Sequence, residues 1–445
     1  MRYWRTIVIL LYLLVNGPCL YQLKAQSKTA NKRLLFYLDE DKKQWLKVTS
    51  YAQIWARQSQ NNPGSTVNDK PALNTTDLSI RRFRLGVSTQ PWEKTIFFFQ
   101  IGVNNLNYLS PKGTSVDVLD AYVEHKFSDY IAIGGGKSAW NGLSRYTSPS
   151  SSKVMANDIN FIALPTLNDS DDLIRKLGMY AKGKIGKVDY RLVFTKPLAI
   201  ENSKTFNPDP TEGIARFTNK KPNLQYSTYV KYEFLDPESN ATPFLSGSYL
   251  GKKRVFNLGI GYTLQPKALW SLRNGEEQFH DLKLFASDIH LDLPLKFNPD
   301  MVITAYLGYF NYDFGPGYIR QIGANNPVNG LESSADFYSA KGNSFPVLGT
   351  GESLWGEIGY LFPPMGNQDD KGRLQPYVSA QYSDFEVIPS RIFQYDFGIN
   401  WYLNGHYSKL TINAQNRPIY RNSTNVITKD GRKWMFVMQY QFRID

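Results

Sequence analysis

The sequence predicts an all-β chain, a transmembrane antiparallel β-barrel of about 16 strands, and three observations predict it. Apolar and polar residues alternate with period two in segments of about 9 to 13 residues along most of the chain, the pattern of a strand with one face in each of two media. The connections between those segments sort by parity into short and long. Composition agrees: 14% of residues are aromatic (29 Tyr, 26 Phe, 9 Trp) and only 20% are charged. After Gln26 no apolar run approaches the roughly 20 residues of a spanning helix, which excludes a helical bundle.

The first 25 residues read as an export leader. Arg2 and Arg5 precede the apolar run TIVILLYLLV, and Gly17-Pro18 break it. Cleavage is expected after Ala25, which makes 1–25 a signal peptide, 26–44 a short polar periplasmic lead and 45–445 the barrel domain. Cys19 is the rival feature, as the lipidated cysteine of a lipoprotein, but Asn16-Gly17-Pro18 is a poor box for that chemistry. One cysteine excludes a disulfide scaffold. Gly 33 and Pro 24 are ordinary counts, so collagen-like and low-complexity readings fail.

In chain order the alternation starts with Leu46, Val48, Ala52, Ile54 and Ala56 opposed to Lys47, Thr49, Tyr51, Gln53 and Arg57. Similar runs centre on 84, 100, 122, 133, 180, 192, 229, 259, 288, 306, 358, 379 and 412. Another sets Phe393, Tyr395, Phe397, Ile399, Trp401 and Leu403 against Gln394, Asp396, Gly398 and Asn400. The last sets Trp434, Phe436, Met438, Tyr440, Phe442 and Ile444 against Lys433, Gln439, Gln441 and Arg443. Ile80-Arg81 and the 282–293 segment mix the two faces.

Even-numbered connections are mostly short: TQPWEK, FSDY, GKIGK and LNGHYS, with longer ones near 236–253 and 363–373. Odd-numbered ones are long, notably about 138–172, 197–222, 313–350 and 416–432. A soluble secreted sheet also alternates, yet it has no reason to sort loops by parity. The face assigned to lipid is nearly free of charge, and its aromatics gather at segment ends (Phe97, Phe194, Phe234, Phe362, Trp401, Trp434, Phe442).

RKLGMYAKGKIGKVDYRLVFTKPL (175–198), VLDAYVEHKF (118–127), the 232–262 stretch, GEIGYLFP (356–363), LQPYVSAQYSDF (374–385) and NGHYSKLTINAQNRP (404–418) together resemble the phosphate-selective porin O and P family, in its divergent Gram-negative branch. The likeness spans nearly the whole chain after the leader. It implies a sixteen-stranded porin of the bacterial outer membrane, usually a homotrimer, with the long third extracellular loop folded into the lumen; here that loop is about 138–172. The chain departs from the pattern at its end, which runs on to Ile444 and Asp445 rather than stopping on an aromatic.

A porin needs a wet lumen of set width and charge rather than a catalytic group. The inward register supplies Arg82, Arg84, Lys182, Lys184 and Arg191, and the third loop adds Lys137, Arg145 and Lys153. Arg and Lys along a constriction favour anions. Acidic residues in the same register (Asp120, Glu124, Asp189, Glu233, Asp288, Asp396) can pair with them. The expected function is therefore passive diffusion of small hydrophilic solutes with mild anion preference, in contact with outer-membrane lipid, without enzyme activity, cofactor, metal or nucleic acid. Three readings stand beside it: a channel specific for phosphate or pyrophosphate, a barrel-wall phospholipase using His406 and Ser408, and a plugged barrel serving a secretion or assembly complex.

Other motifs carry less. Gly134-Gly135-Gly136-Lys137-Ser138 lacks the first glycine of a phosphate-binding loop, since that position holds Ile131. His125, His280 and His290 have no metal-ligand spacing. Asp169, Asp171 and Asp172 lack the Gly and Glu of a calcium loop, and read as a solvated loop. The net charge of +12 is spread along strands without the compact patch that nucleic acid needs.

Overall fold

Strands with one oily face leave no edge that lipid could satisfy, so they must close on themselves, and in the computed structural model they do. It describes residues 34–198, 209–332, 338–366, 371–423 and 426–445. The predicted leader, 1–25, lies outside them. Sixteen strands form one antiparallel barrel. They are β1 (Trp45–Gln60), β2 (Asn74–Trp92), β3 (Thr95–Leu106), β4 (Asp117–Lys126), β5 (Ala132–Ser138), β6 (Lys176–Ile185), β7 (Val188–Lys196) and β8 (Gln225–Glu233). The second half comprises β9 (Val255–Arg273), β10 (Glu276–Leu295), β11 (Asn298–Asp313), β12 (Gly351–Leu361), β13 (Arg373–Phe385), β14 (Ile392–Asn404), β15 (Ser408–Ser423) and β16 (Val426–Ile444). Each pairs with its sequence neighbours, and β1 closes on β16 from Ser50↔Ile444 to Ser59↔Met435. Leu35–Tyr37, in the expected lead, adds a short strand against Trp45–Lys47. Among the described residues there is no α-helix.

The end where β1 starts and β16 finishes is here called the terminal end; the other is the loop end. Turns at the terminal end are short, as at 93–94, 186–187, 296–297 and 405–407. The two exceptions are 234–254 and 362–372. Loop-end connections run over 139–175, 197–224 and 314–350. One expected long loop is corrected: 416–432 belongs to the β15–β16 hairpin, with Arg417↔Lys433 and Tyr420↔Lys429 in register. Pro418 lies within the paired stretch. A register shift between Pro418 and Tyr420 absorbs its missing N–H.

Along β16, Phe436, Tyr440 and Phe442 stand outward, 43–45% exposed, while Gln439 and Gln441 between them are fully buried. The two segments whose faces mixed in the sequence have separate causes. At Ile80-Arg81 a β-bulge intervenes: Gln53 pairs with Arg82 and Ile54 with Ile80, so Arg81 is the extra residue and both arginines are buried. Along β10, Leu282, Leu284 and Ala286 face inward as well as Asp288, His290 and Asp292. Their inner surroundings are apolar because the lumen there is filled. Exposed Trp92, Phe127, Tyr130, Ile185 and Phe297 ring the terminal end, as an interfacial girdle does.

Candidate functional site

The interior is packed by chain entering from both ends. From the loop end, 139–175 descends through the barrel: Arg145 N donates to Asp288 Oδ2 of β10 at 2.6 Å, and Asn157 N donates to Tyr377 Oη of β13 at 2.9 Å. Arg145, Tyr146, Met155 and Ile162 are all buried. The third loop therefore lies in the lumen, as the resemblance implies. Leu143, Tyr146, Val154, Ile159 and Ile162 join Leu284, Phe310, Tyr312 and Trp355 of the wall, with Phe345, Val347 and Leu348 of the 314–350 loop, in one apolar cluster. Tyr146 meets Tyr306 and Trp355 edge-on, ring centres 4.6 and 4.9 Å apart.

From the terminal end the turn 234–254 rises to meet that loop. Leu245 N donates to Ser148 O at 3.0 Å, and Ser150 N donates to Leu245 O at 2.8 Å. Gly247 N and Ser248 N both donate to Lys153 O, at 3.1 and 3.0 Å. A Cβ on Gly247 would lie 2.9 Å from Val154 Cα, so the two backbones touch where only glycine fits.

The wall's cations hold this turn. Lys182 and Lys184 of β6 donate to the carbonyls of Asn240 and Glu238, and Arg191 of β7 donates to that of Pro243 at 2.9 Å. Lys182 and Arg191 lie over the Trp140 ring, 4.5 and 4.9 Å from its centre. At the centre sits the Glu238 carboxylate. Arg145 grips it in a fork at 2.9 and 2.5 Å, Lys231 Nζ donates at 2.8 Å, and Asn257 Nδ2 and Tyr249 Oη each donate at 2.5 Å. Burial alone would raise this carboxyl, but Arg145 and Lys231 outweigh it and hold it well below the usual range.

The eight basic residues expected to line a pore thus divide. Arg82 meets Asp158 Oδ1 at 2.5 Å and Gln53 Oε1 at 3.0 Å. Arg145 meets Glu238, Lys182 meets Glu124 at 2.9 Å, and Lys184 meets Glu233 at 2.6 Å. Arg84 donates instead to the carbonyls of Phe83 and Val103 and to Asn104 Oδ1, and Arg191 makes no ion pair within 4.0 Å among the described residues. Lys153 reaches the terminal mouth among Arg443, Asp445, Lys47 and Lys252, where burial first and those cations next lower it to about 8. Lys137 is corrected. It stays within β5, opposite outward Leu177, so it stands on the outer face with Ile133 and donates to Asp172 Oδ2 at 2.5 Å. The two-residue period of the strand continues one step further than the loop assignment allowed.

Sequence reasoning missed Arg81, Glu238 and Lys231. Arg81 shares Asp158 with Arg82, its Nη2 at 2.8 Å. Lys231 was legible as an inward β8 residue next to Glu233, whereas Glu238 carries no sequence signal beyond the unusual length of its turn.

Other motifs resolve as structure. Gly134 faces inward beneath Tyr180, whose ring a Cβ would meet at 2.3 Å. Asp169 and Asp171 are buried rather than solvated: Asp169 pairs with Arg320 at 2.7 Å, and Asp171 accepts from Thr166 Oγ1 and from the backbone of Asn168 and Ile174. His406 Nε2 bonds the Ser248 carbonyl at 3.0 Å, while Ser408 Oγ bonds Tyr440 Oη at 3.1 Å. They form no dyad, because 405–407 is a turn and the two-residue rule lapses there. Among the described residues no cluster of His, Cys, Asp or Glu has the makings of a metal site. A cavity of about 60 Å³ lies between Asn157, Asp158, Asp396, Gln394 and Trp355, room for a few water molecules and not for a hydrated solute.

No protein-family model matches the chain, and no curated protein matches it. Solved structures similar to it include the outer membrane channel DcaP of Acinetobacter baumannii, 13% identical over 90% of this chain and 97% of that one, with a TM-score of 0.47. A loop-deletion mutant of OmpT, an outer membrane protein of Vibrio cholerae, is 10% identical over 89% of this chain and 99% of that one, with a TM-score of 0.46. A mutant of the Rh. blastica porin is 9% identical over 89% and 99%, with a TM-score of 0.43.

Proposed function

We propose that the chain is an outer-membrane channel for small hydrophilic solutes, held closed at rest by its own lumenal segments. The carrying observation is the reversal of polarity across one wall, with Phe436, Tyr440 and Phe442 outward and Gln439 and Gln441 inward on the same strand. A wall with oil on one side and Gln, Asp, Lys and Arg on the other has the polar interior that a path for hydrophilic solutes requires. The leader cleaved after Ala25, the lead over 26–44, the barrel over 45–445, a homotrimer and membership of the phosphate-selective porin O and P family belong to the same proposal. The lumen favours anions mildly: among the described residues Arg84, Arg191 and Lys153 have no carboxylate within 4.0 Å, while Arg82, Arg145, Lys182 and Lys184 are neutralised by one. That balance speaks against a dense ladder dedicated to phosphate.

A second reading, a barrel kept permanently shut within a secretion or assembly complex, draws on the apolar cluster inside the lumen. Planar-bilayer recording under a KCl gradient separates them. The channel reading expects discrete conductance steps and a reversal potential of the sign for Cl⁻ over K⁺. A protein correctly folded in detergent that never conducts leaves the closed-barrel reading standing.

A further inference from the structure

The loop 139–175 and the turn 234–254 differ in what holds them. The loop is fastened by apolar packing: Leu143, Tyr146, Val154, Ile159 and Ile162 lie in the buried cluster, and moving them would expose that surface to water. The turn has fewer apolar anchors, Phe244, Leu245 and Leu250, and polar bonds do more of its fastening. Its backbone meets the loop through four hydrogen bonds, and its outer side receives Lys182, Lys184 and Arg191. Water can take over bonds of that kind one for one, so displacing the turn costs far less than displacing the loop. Its strongest polar fastening is the Glu238 carboxylate in its basin.

We propose that the seam between Ser148–Lys153 and Leu245–Ser248 is the channel's gate, and that 234–254 is a tethered plug which Glu238 latches and which opens by withdrawing toward the terminal mouth. The inference rests on the channel reading above and says which part moves. Withdrawal removes the Glu238 carboxylate from Arg145 and Lys231 and the turn's carbonyls from Lys182, Lys184 and Arg191, while Lys182 keeps Glu124 and Lys184 and Lys231 keep Glu233. The open path is thus more basic than the closed one, and the anion preference is a property of the open state.

Planar-bilayer recording of the full-length protein tests this in wild type, Glu238→Gln and the double variant Pro149→Cys/Leu245→Cys. Pro149 and Leu245 are β-bridge partners, whose backbones stand about 4.8 Å apart, within disulfide reach. Cys19 is the only other cysteine. Glu238→Gln removes the charge that Arg145 and Lys231 share, and mean conductance is expected to rise at least about tenfold. The oxidised double variant is expected to be silent and to regain wild-type currents when dithiothreitol is added to the same sample, which separates locking from misfolding. An oxidised variant, its cross-link verified by mass, that conducts like its reduced form overturns the gate and leaves the channel. Silence of wild type, Glu238→Gln and reduced double variant alike removes the channel reading and the gate with it.

Discussion

Asp158 shows how much a single side chain carries in this interior. It lies in the third loop, yet it neutralises two arginines of the wall, Arg81 and Arg82, at 2.8 and 2.5 Å. Two guanidinium groups stand side by side in a buried site because the Asp158 carboxylate lies between them. Replacing Asp158 with Ala leaves two like charges side by side in a buried site, and loss of one partner in such a pair costs about 3–5 kcal/mol. Guanidinium unfolding in detergent micelles should show that loss, and an Arg81→Met/Asp158→Ala double variant should recover part of it. Arg81 itself escaped the period-two reading because the bulge beside Ile80 turns two consecutive residues inward, an event that alternation alone does not encode.

At the level of the element, β5 is short, Ala132–Ser138, and unusually thin: Gly134 leaves space that the Tyr180 ring fills, and that ring stacks on Trp140 with centres 4.8 Å apart. Trp140 is the first aromatic of the descending loop, so one glycine of β5 lets the loop's entry point seat on β6. Gly134→Leu places side-chain atoms where the Tyr180 ring already stands, and overpacking of this sort costs about 1–3 kcal/mol. The heat-modified gel shift should move to lower temperature, while Gly135→Ala, whose Cβ meets nothing closer than 3.2 Å, should move it little. The β15–β16 hairpin gives the contrary lesson: 416–432 is expected to be a long loop, while paired backbone and one register shift at Pro418 make it strand.

Over the whole molecule the barrel is a protein inside out on its rim and ordinary within. Ile399, midway along β14, is exposed on the outer face, and its neighbour Asn400 is fully buried. If lipid meets that face, Ile399→Lys should cost about 2–4 kcal/mol near the midplane of a bilayer. Equilibrium unfolding in lipid vesicles measures it; a cost no larger than that of a lysine at exposed Leu331 in the loop region would mean that water, not lipid, lies against β14.

Strand number, closure and the facing of most residues were legible because a barrel wall separates two media and every second residue must answer to one of them. The alternation from Phe393 to Leu403 and from Trp434 to Ile444 needs no neighbour to be read. The contents of the lumen had no such local signature. Leu282 and Leu284 looked misplaced on their strand until the descending loop supplied their apolar partners, and the basic residues of β6 and β7 looked like a pore lining until a turn from the far end arrived to accept their hydrogen bonds. Those contacts join residues such as Arg145 and Glu238, far apart in the chain. Periodicity governs which way a side chain points, and only the folded path of the loops decides what it finds there.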